Sequence, residues 1–379
     1  MITPVRMVLV SLPAACCLAA IALPSSEGSR TARGPASLAA ASVAAARAPA
    51  PARLRFGIYP SGLAGCARRC AAPVAEDAAR SLAAVKRLKG DRAFVVHLYG
   101  DYTGGSDASA GRLLSDASWW ASHGLQVAAI LRYRPESRRA AGGYRAWVRA
   151  QARRLAALPQ TVSIQIANEP TNMARAAGDG SYPGVIEAIA TAVPAARNAV
   201  VAAGRRDILI GFNWAAGARP ATTEPIWRRL RQAGGTPFTR AVGFVAVNVY
   251  PGTWSQPWST SAPTATQIRA TMRSTLRAMR SKHMVAAGVS RAAITIGETG
   301  YPTTARRTQA TQDRVLRAIA AAADAARTTY AVTDLYWFAL RDGTSASGHL
   351  ENGYGLLRDD YSAKPAYATL RSLIARIGA

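Results

Sequence analysis

From Leu54 to the last residue the sequence alternates, eight times over, a short apolar run with a longer segment whose apolar residues recur at helical spacing. The runs read as strands at 54–59, 93–99, 126–132, 161–167, 207–213, 242–249, 292–297 and 333–340. The segments between and after them read as helices near 74–89, 110–122, 141–157, 184–203, 223–233, 265–287, 309–327 and 364–377. Strands separated by helices are joined by crossovers and so pair in parallel. Runs such as Phe94-Val95-Val96 and Val127-Ala128-Ala129-Ile130-Leu131 are apolar at consecutive positions, as strands covered on both faces require. An open doubly wound sheet shares both properties. Two observations favour a closed (β/α)8 TIM barrel forming a single domain over 54–379: the even count of units, and the polar residues that collect just after strand after strand. No Gly-rich phosphate loop of the dinucleotide or nucleotide type is present.

The residues before the barrel are of another kind. Arg6, then the apolar run Met7 to Leu23, then small residues, is the pattern of a secretory signal peptide, expected over 1–24. That run is too short and too interrupted by proline for a membrane span. Cys16 and Cys17 inside it raise a lipid anchor as an alternative, but the residues before them match a lipoprotein signal poorly. Residues 25–53 are Ala, Ser, Pro, Gly and Arg, with too little apolar surface to offset the entropy of ordering, and read as a disordered linker. A secreted protein is expected, with cell-surface association as a variant.

Once the leader is set aside, only Cys66 and Cys70 remain, and in an exported protein their C-x3-C spacing suggests a local disulfide after the first strand. A metal site is disfavoured, since His97, His123, His283 and His349 all stand alone. The chain is strongly cationic, with 47 Lys and Arg against 21 Asp and Glu and a formal charge of +26. The excess is mostly Arg, scattered through the helices as Arg153-Arg154, Arg205-Arg206, Arg228-Arg229 and Arg306-Arg307. Scattered charge argues against a dedicated nucleic-acid surface and fits adhesion to anionic cell-wall polymers better.

Two of the apolar runs end in a glutamate: Val162 to Ile166 leads to Asn168-Glu169-Pro170, and Ile294 to Gly297 leads to Glu298-Thr299-Gly300-Tyr301-Pro302. A carboxylate at the end of a buried strand is costly to desolvate without partners or a task, so two at matching positions suggest one shared site. Other polar residues end strands as well: Tyr59, Tyr99, Asp101, Arg132, Asn213, Trp214, Asn248, Tyr250, Trp337 and Asp342. Alternation along strand four predicts that Ser163, Gln165, Ala167 and Glu169 face inward, with Val162, Ile164 and Ile166 facing the helices.

Those two glutamate motifs resemble the signatures of clan A glycoside hydrolases, the four/seven superfamily of retaining enzymes. The resemblance spans about 54–379, and it extends to Tyr336-Trp337-Phe338, to Glu351-Asn352-Gly353-Tyr354-Gly355-Leu356-Leu357 and to Lys364-Pro365-Ala366-Tyr367. The Glu-Thr-Gly-Tyr-Pro stretch also resembles those of β-1,3-glucanases and β-1,4-galactanases. The resemblance implies Glu169 as acid/base, Glu298 as nucleophile, Asn168 on the sugar 2-hydroxyl, Tyr250 against the nucleophile and Trp337 as the floor under the cleaved sugar. Retaining chemistry needs carboxyl groups about 5 to 5.5 Å apart, and inward side chains from strands four and seven can meet over a barrel mouth. Arg132, Asn213 and Trp214 complete the expected substrate-binding set. One departure is visible. The family usually carries an arginine near the end of strand two, where this chain has His97, Tyr99 and Asp101; Arg132 on strand three is the expected substitute.

The expected protein is therefore a monomeric retaining glycosidase for a β-linked poly- or oligosaccharide, with no metal, organic cofactor, nucleic acid or membrane span. Two rivals stand beside it: a noncatalytic carbohydrate- or polyanion-binding barrel, and a barrel acting on phosphorylated substrates, for which Gly343, Gly348 and Gly353 are too dispersed. Trp254 and Trp258 in the loop after strand six are equally suited to stacking on sugars or to packing; Asp342 and Glu351 are suited to capping their loop first and to contacting outer sugar hydroxyls second, and His97 to an interior position.

Overall fold

The computed structural model describes residues 52–379, apart from 64, 67–69, 105–107, 138–140, 173–179, 218–219 and 258–261. The expected signal peptide, Cys16, Cys17, Trp258 and nearly all of the expected linker lie outside the described residues.

Eight strands close into one parallel barrel in chain order, β8 pairing back onto β1. They are β1 Arg55–Ile58, β2 Phe94–Tyr102, β3 Gln126–Tyr133, β4 Thr161–Ile166, β5 Leu209–Ala215, β6 Phe244–Asn248, β7 Ala293–Thr299 and β8 Val332–Trp337. The helices follow in alternation: α1 Ala78–Lys89, α2 Ala108–Ser122, α3 Tyr144–Ala156, α4 Val185–Ala202, α5 Pro220–Ala241, α6 Ala265–Ala278, α7 Gln309–Tyr330 and α8 Pro365–Ile377. All eight expected units are present.

Capping fixes several starts. The Asp77 side chain accepts from the Arg80 backbone N–H, so α1 begins at Ala78 instead of 74, and Thr264 and Gln267 form a reciprocal capping box on α6. Helix α5 runs longer than predicted because two helical pieces abut at Gly235, whose φ of 55° only glycine adopts readily. Beyond α6 the helix widens into a π turn, Met279–His283, before Met284–Ala286.

The main core lies between the sheet and its helices, where Ile164, Ile166, Val245, Val247, Ile294 and Ile296 meet the apolar stripes of α3 to α7. Each aliphatic side chain fully buried there contributes about 1.5–3 kcal/mol relative to exposure. Helix α4 is long and apolar enough to cross a membrane by composition, but here it buries ten residues against its neighbours. The barrel interior holds smaller apolar layers, one of Val95, Ala128 and Tyr336, another of Phe244, Ala246 and Ala293. Ser163, Gln165, Thr295, Glu298 and Tyr336 line the space above them, as alternation predicts for Ser163 and Gln165.

Alternation fails at both ends of β4. A register shift against Val127 and Ala128 turns Val162 inward, where it packs on the Val95 layer instead of facing the helices. Ala167 also departs from its predicted inward position. It takes a left-handed φ of 61° and joins the helix-facing core.

Cys66 and Cys70 form a disulfide in the loop after β1.

Candidate active site

The site is assembled where β4, β6, β7 and β2 end. At the end of β4 the chain takes two left-handed turns, at Ala167 (φ 61°) and Glu169 (φ 45°), with Asn168 between them. Each such conformation in a residue with a Cβ costs on the order of 1–3 kcal/mol and needs surrounding structure to hold it. The supports are visible. The Ala167 N–H donates to the Tyr144 hydroxyl from α3 at 3.0 Å and to the Leu131 carbonyl at 2.9 Å, and the Glu169 N–H donates to Asn213 Oδ1 at 2.7 Å.

Amides orient the side chains that follow. Asn168 Oδ1 accepts from Gln165 Nε2 at 3.0 Å and from Asn213 Nδ2 at 2.7 Å, which fixes its amino end on the opposite side. Glu169 accepts from Asn248 Nδ2 on Oε1 at 3.0 Å and from Asn172 Nδ2 on Oε2 at 2.8 Å.

Glu298, 8 % exposed, is gripped differently. The Tyr99 hydroxyl from β2 donates to Oε1 at 2.7 Å, and the Tyr250 hydroxyl donates to Oε2 at 2.8 Å. A shift between Val247 and Asn248 in the β6–β7 ladder sets Asn248 directly beside Glu298, so Asn248 neighbours one glutamate along the sheet and hydrogen-bonds the other through its amide. Burial, and then the charge of Glu298, push the Tyr250 phenol well above its ordinary value, so it stays a donor. Asn248 thus links the two predicted glutamates at the one barrel mouth.

Beyond Glu298 the chain turns through Gly300, where a Cβ would lie 2.3 Å from the Phe338 carbonyl oxygen; only glycine permits that approach. Phe338 belongs to an aromatic cluster at the mouth with Tyr250 and Tyr354, and it stacks on Tyr59 with ring centroids 5.1 Å apart and planes within 6°. Beneath them His97 is buried with neither ring nitrogen hydrogen-bonded, and burial lowers its pKa to about 3.

The predicted residues divide. Glu169, Glu298, Asn168, Tyr250 and Asn213 are brought together. Arg132 stands one step out. It grips its cross-strand neighbour Asp101, Nη2 to Oδ2 at 3.0 Å, and lays its guanidinium 5.0 Å over the Tyr99 ring. Trp337 and Trp214 do not join the site. Tyr336 and Phe338 take the inward positions of β8, so Trp337 points outward into the main core and is 1 % exposed. Asn213 takes the inward position of β5, so Trp214 packs outward against Trp227 and His283. Phe338 occupies the mouth position expected of Trp337.

Three residues that hydrogen-bond the glutamates, Tyr99, Asn248 and Asn172, also lie outside the predicted set. Tyr99, within β2, and Asn248, at the end of β6, lie on the inward face in alternation with His97 and Ala246, and that alternation is the signal that marks them. Asn172 lies past the strand, where no periodicity applies.

No protein-family model matches the sequence, and no curated protein matches it. Solved structures do, at low identity. A family 39 glycoside hydrolase from the gut symbiont Bacteroides cellulosilyticus WH2 superposes with a TM-score of 0.58 at 15% identity, over 86% of this chain and 64% of that one. A fungal β-1,4-galactanase gives 0.56 at 13% identity, over 85% of this chain and 100% of that one. A β-glucuronidase of an uncultured Clostridium gives 0.53 at 13% identity, over 84% of this chain and 50% of that one. This chain thus spans just under two thirds of the first and half of the last. The likeness establishes the barrel fold.

Proposed function

We infer that the protein is a secreted retaining glycoside hydrolase that cleaves O-glycosidic bonds in a β-linked poly- or oligosaccharide. The observation that carries the reading is the convergence of Glu169 and Glu298 on Asn248, which hydrogen-bonds the first and lies beside the second in the sheet, although 129 residues separate them in sequence. The solved structures it resembles bear glycoside hydrolase, galactanase and glucuronidase names, which agrees with the residue motifs. The disulfide between Cys66 and Cys70 agrees with export.

In this mechanism Glu298 attacks the anomeric carbon as its bond to the leaving oxygen breaks, and Glu169 gives that oxygen its proton. Two phenol donors steady Glu298 in its charged form and orient it for attack. Glu169, held by the amides of Asn248 and Asn172, then removes a proton from water, which displaces Glu298 and releases the sugar with its anomeric configuration unchanged. Asn168, with its carbonyl oxygen fixed by Gln165 and Asn213, offers its amino end to the sugar 2-hydroxyl. Phe338 and Tyr59 supply the apolar surface beneath the ring.

Incubation with β-glucans, β-mannans, β-galactans and xylans, with the anomer released followed by NMR, tests the reading. Hydrolysis with retention is expected from one of them, and its abolition in Glu298→Ala. Undiminished turnover by that variant, or retention of a polymer without any release, would replace the enzyme with a binding barrel.

A further inference from the structure

We propose that the groove between α3 and α4, on the flank of the barrel, binds an acidic polysaccharide through a ladder of three arginines. The proposal is independent of the hydrolase reading. The groove has a volume of about 510 Å3; Arg145, Arg149 and Arg153 form one wall, Ala195 and Ala199 the floor, and Asn198 the facing edge.

The three arginines are spaced four residues apart on α3, so they rise one above another at intervals of about 6 Å on one face. All three are exposed, and among the described residues none has a carboxylate within salt-bridge distance. Such stacking has a cost. Like charges at this spacing destabilise a helix by about 0.2–0.5 kcal/mol per pair. Arg145 also stands in the first turn, where the helix dipole disfavours a cation and where α3 carries no acidic residue. Arg153, in the last turn, is favoured by the same dipole, so the cost rests on the like-charge pairs and on Arg145. Among the described residues no carboxylate offsets it, whereas Arg205 and Arg280 elsewhere are consumed by backbone carbonyls.

The shape of the groove follows from residue size. Small side chains of α4 lie opposite the long ones of α3, leaving a channel that runs along the ladder. Planar guanidinium groups repeated along one face suit a linear chain that carries many carboxylates, because each can donate a two-pronged hydrogen bond. Among the described residues, no aromatic side chain lines the groove. Single-stranded nucleic acid is held largely by stacking of its bases on such rings, so a polyuronate is the better fit.

A charge-matched control exists in the same molecule: Arg269, Arg273 and Arg277 on α6 are also exposed and four residues apart, but they lie outside this groove. The test measures equilibrium binding of fluorescent polygalacturonate to the full chain as a function of salt. Arg145→Gln/Arg149→Gln/Arg153→Gln should weaken binding at least tenfold and lower the slope of log affinity against log salt by about two, since a carboxylate that no guanidinium neutralises keeps its counterion. The same triple change at 269, 273 and 277 should alter affinity less than threefold, and neutral galactan should not compete. Equal weakening in both triple variants would assign binding to diffuse charge and overturn the proposal. So would failure to bind polygalacturonate, or tighter binding of single-stranded DNA through the same ladder.

Discussion

The Tyr99 hydroxyl donates to Glu298 Oε1 at 2.7 Å, from the strand on which the clan A resemblance would place an arginine. A neutral phenol thus does part of what a guanidinium is expected to do, with the Arg132 guanidinium stacked on its face and held there by Asp101. A hydrogen bond to a charged group contributes about 1.5–3 kcal/mol. Tyr99→Phe should therefore lower kcat/KM about ten- to hundredfold. Removing a donor disfavours the charged carboxylate, so the acidic limb of the pH–rate profile should move up by about one unit. An unmoved limb would leave Tyr99 with a packing role only.

Glu169 accepts from the amides of Asn248 and Asn172 and is the residue proposed to protonate the leaving oxygen. Glu169→Ala should lose about 10²–10⁴-fold in rate on a natural polysaccharide, where the leaving alcohol needs that proton. On a dinitrophenyl glycoside, whose leaving group needs no proton, the first step should be nearly unimpaired. Equal losses on both substrates in a pre-steady-state measurement would contradict the assignment.

Trp337 and Phe338 are adjacent, yet they should fail in different ways. Trp337→Ala should cost about 3–5 kcal/mol of unfolding free energy, as expected for a large buried ring. Phe338→Ala should chiefly raise KM, because its ring stacks on Tyr59 at the mouth. Denaturant titration and steady-state kinetics on the two variants separate these outcomes, and a raised KM in the first with unchanged stability would reverse the assignments.

His97, inside the barrel, should make the fold acid-sensitive. Burial lowers its pKa to about 3, against about 6.5 in the unfolded chain. Between those values the unfolded state binds the extra proton, so stability is fully present above about pH 6.5 and is lost as pH falls toward 3. His97→Phe should flatten part of that dependence in denaturant titrations between pH 7 and 4. A curve as steep as that of the wild type would place the sensitivity elsewhere.

How far the sequence reveals the fold can be judged strand by strand. Period and spacing suffice for all eight units, because a barrel covered by helices needs apolar strands and amphipathic helices at every turn. Inward facing is recoverable where a strand is regular, as at Ser163 and Gln165. It is lost at Val162 and Ala167, since neither a register shift nor a left-handed turn leaves a signature in the order of residue types. Trp214 and Trp337 depart from their expected places for a simpler reason. Each follows an inward residue by one position, and indole is as well suited to the helix-facing core as to a sugar platform. Asn172 is out of reach of such reasoning, since its position depends on how the chain turns after Glu169.

Tyr144 shows how deep the foundations of the mouth run. Its ring belongs to an outer helix, yet its hydroxyl donates to the Leu131 carbonyl and receives the Ala167 N–H, two residues ahead of Glu169. The aim of Glu169, the proposed proton donor, is thereby moored from outside the barrel wall, so that shaving one oxygen atom from α3 would loosen it without touching any polar group of the mouth itself.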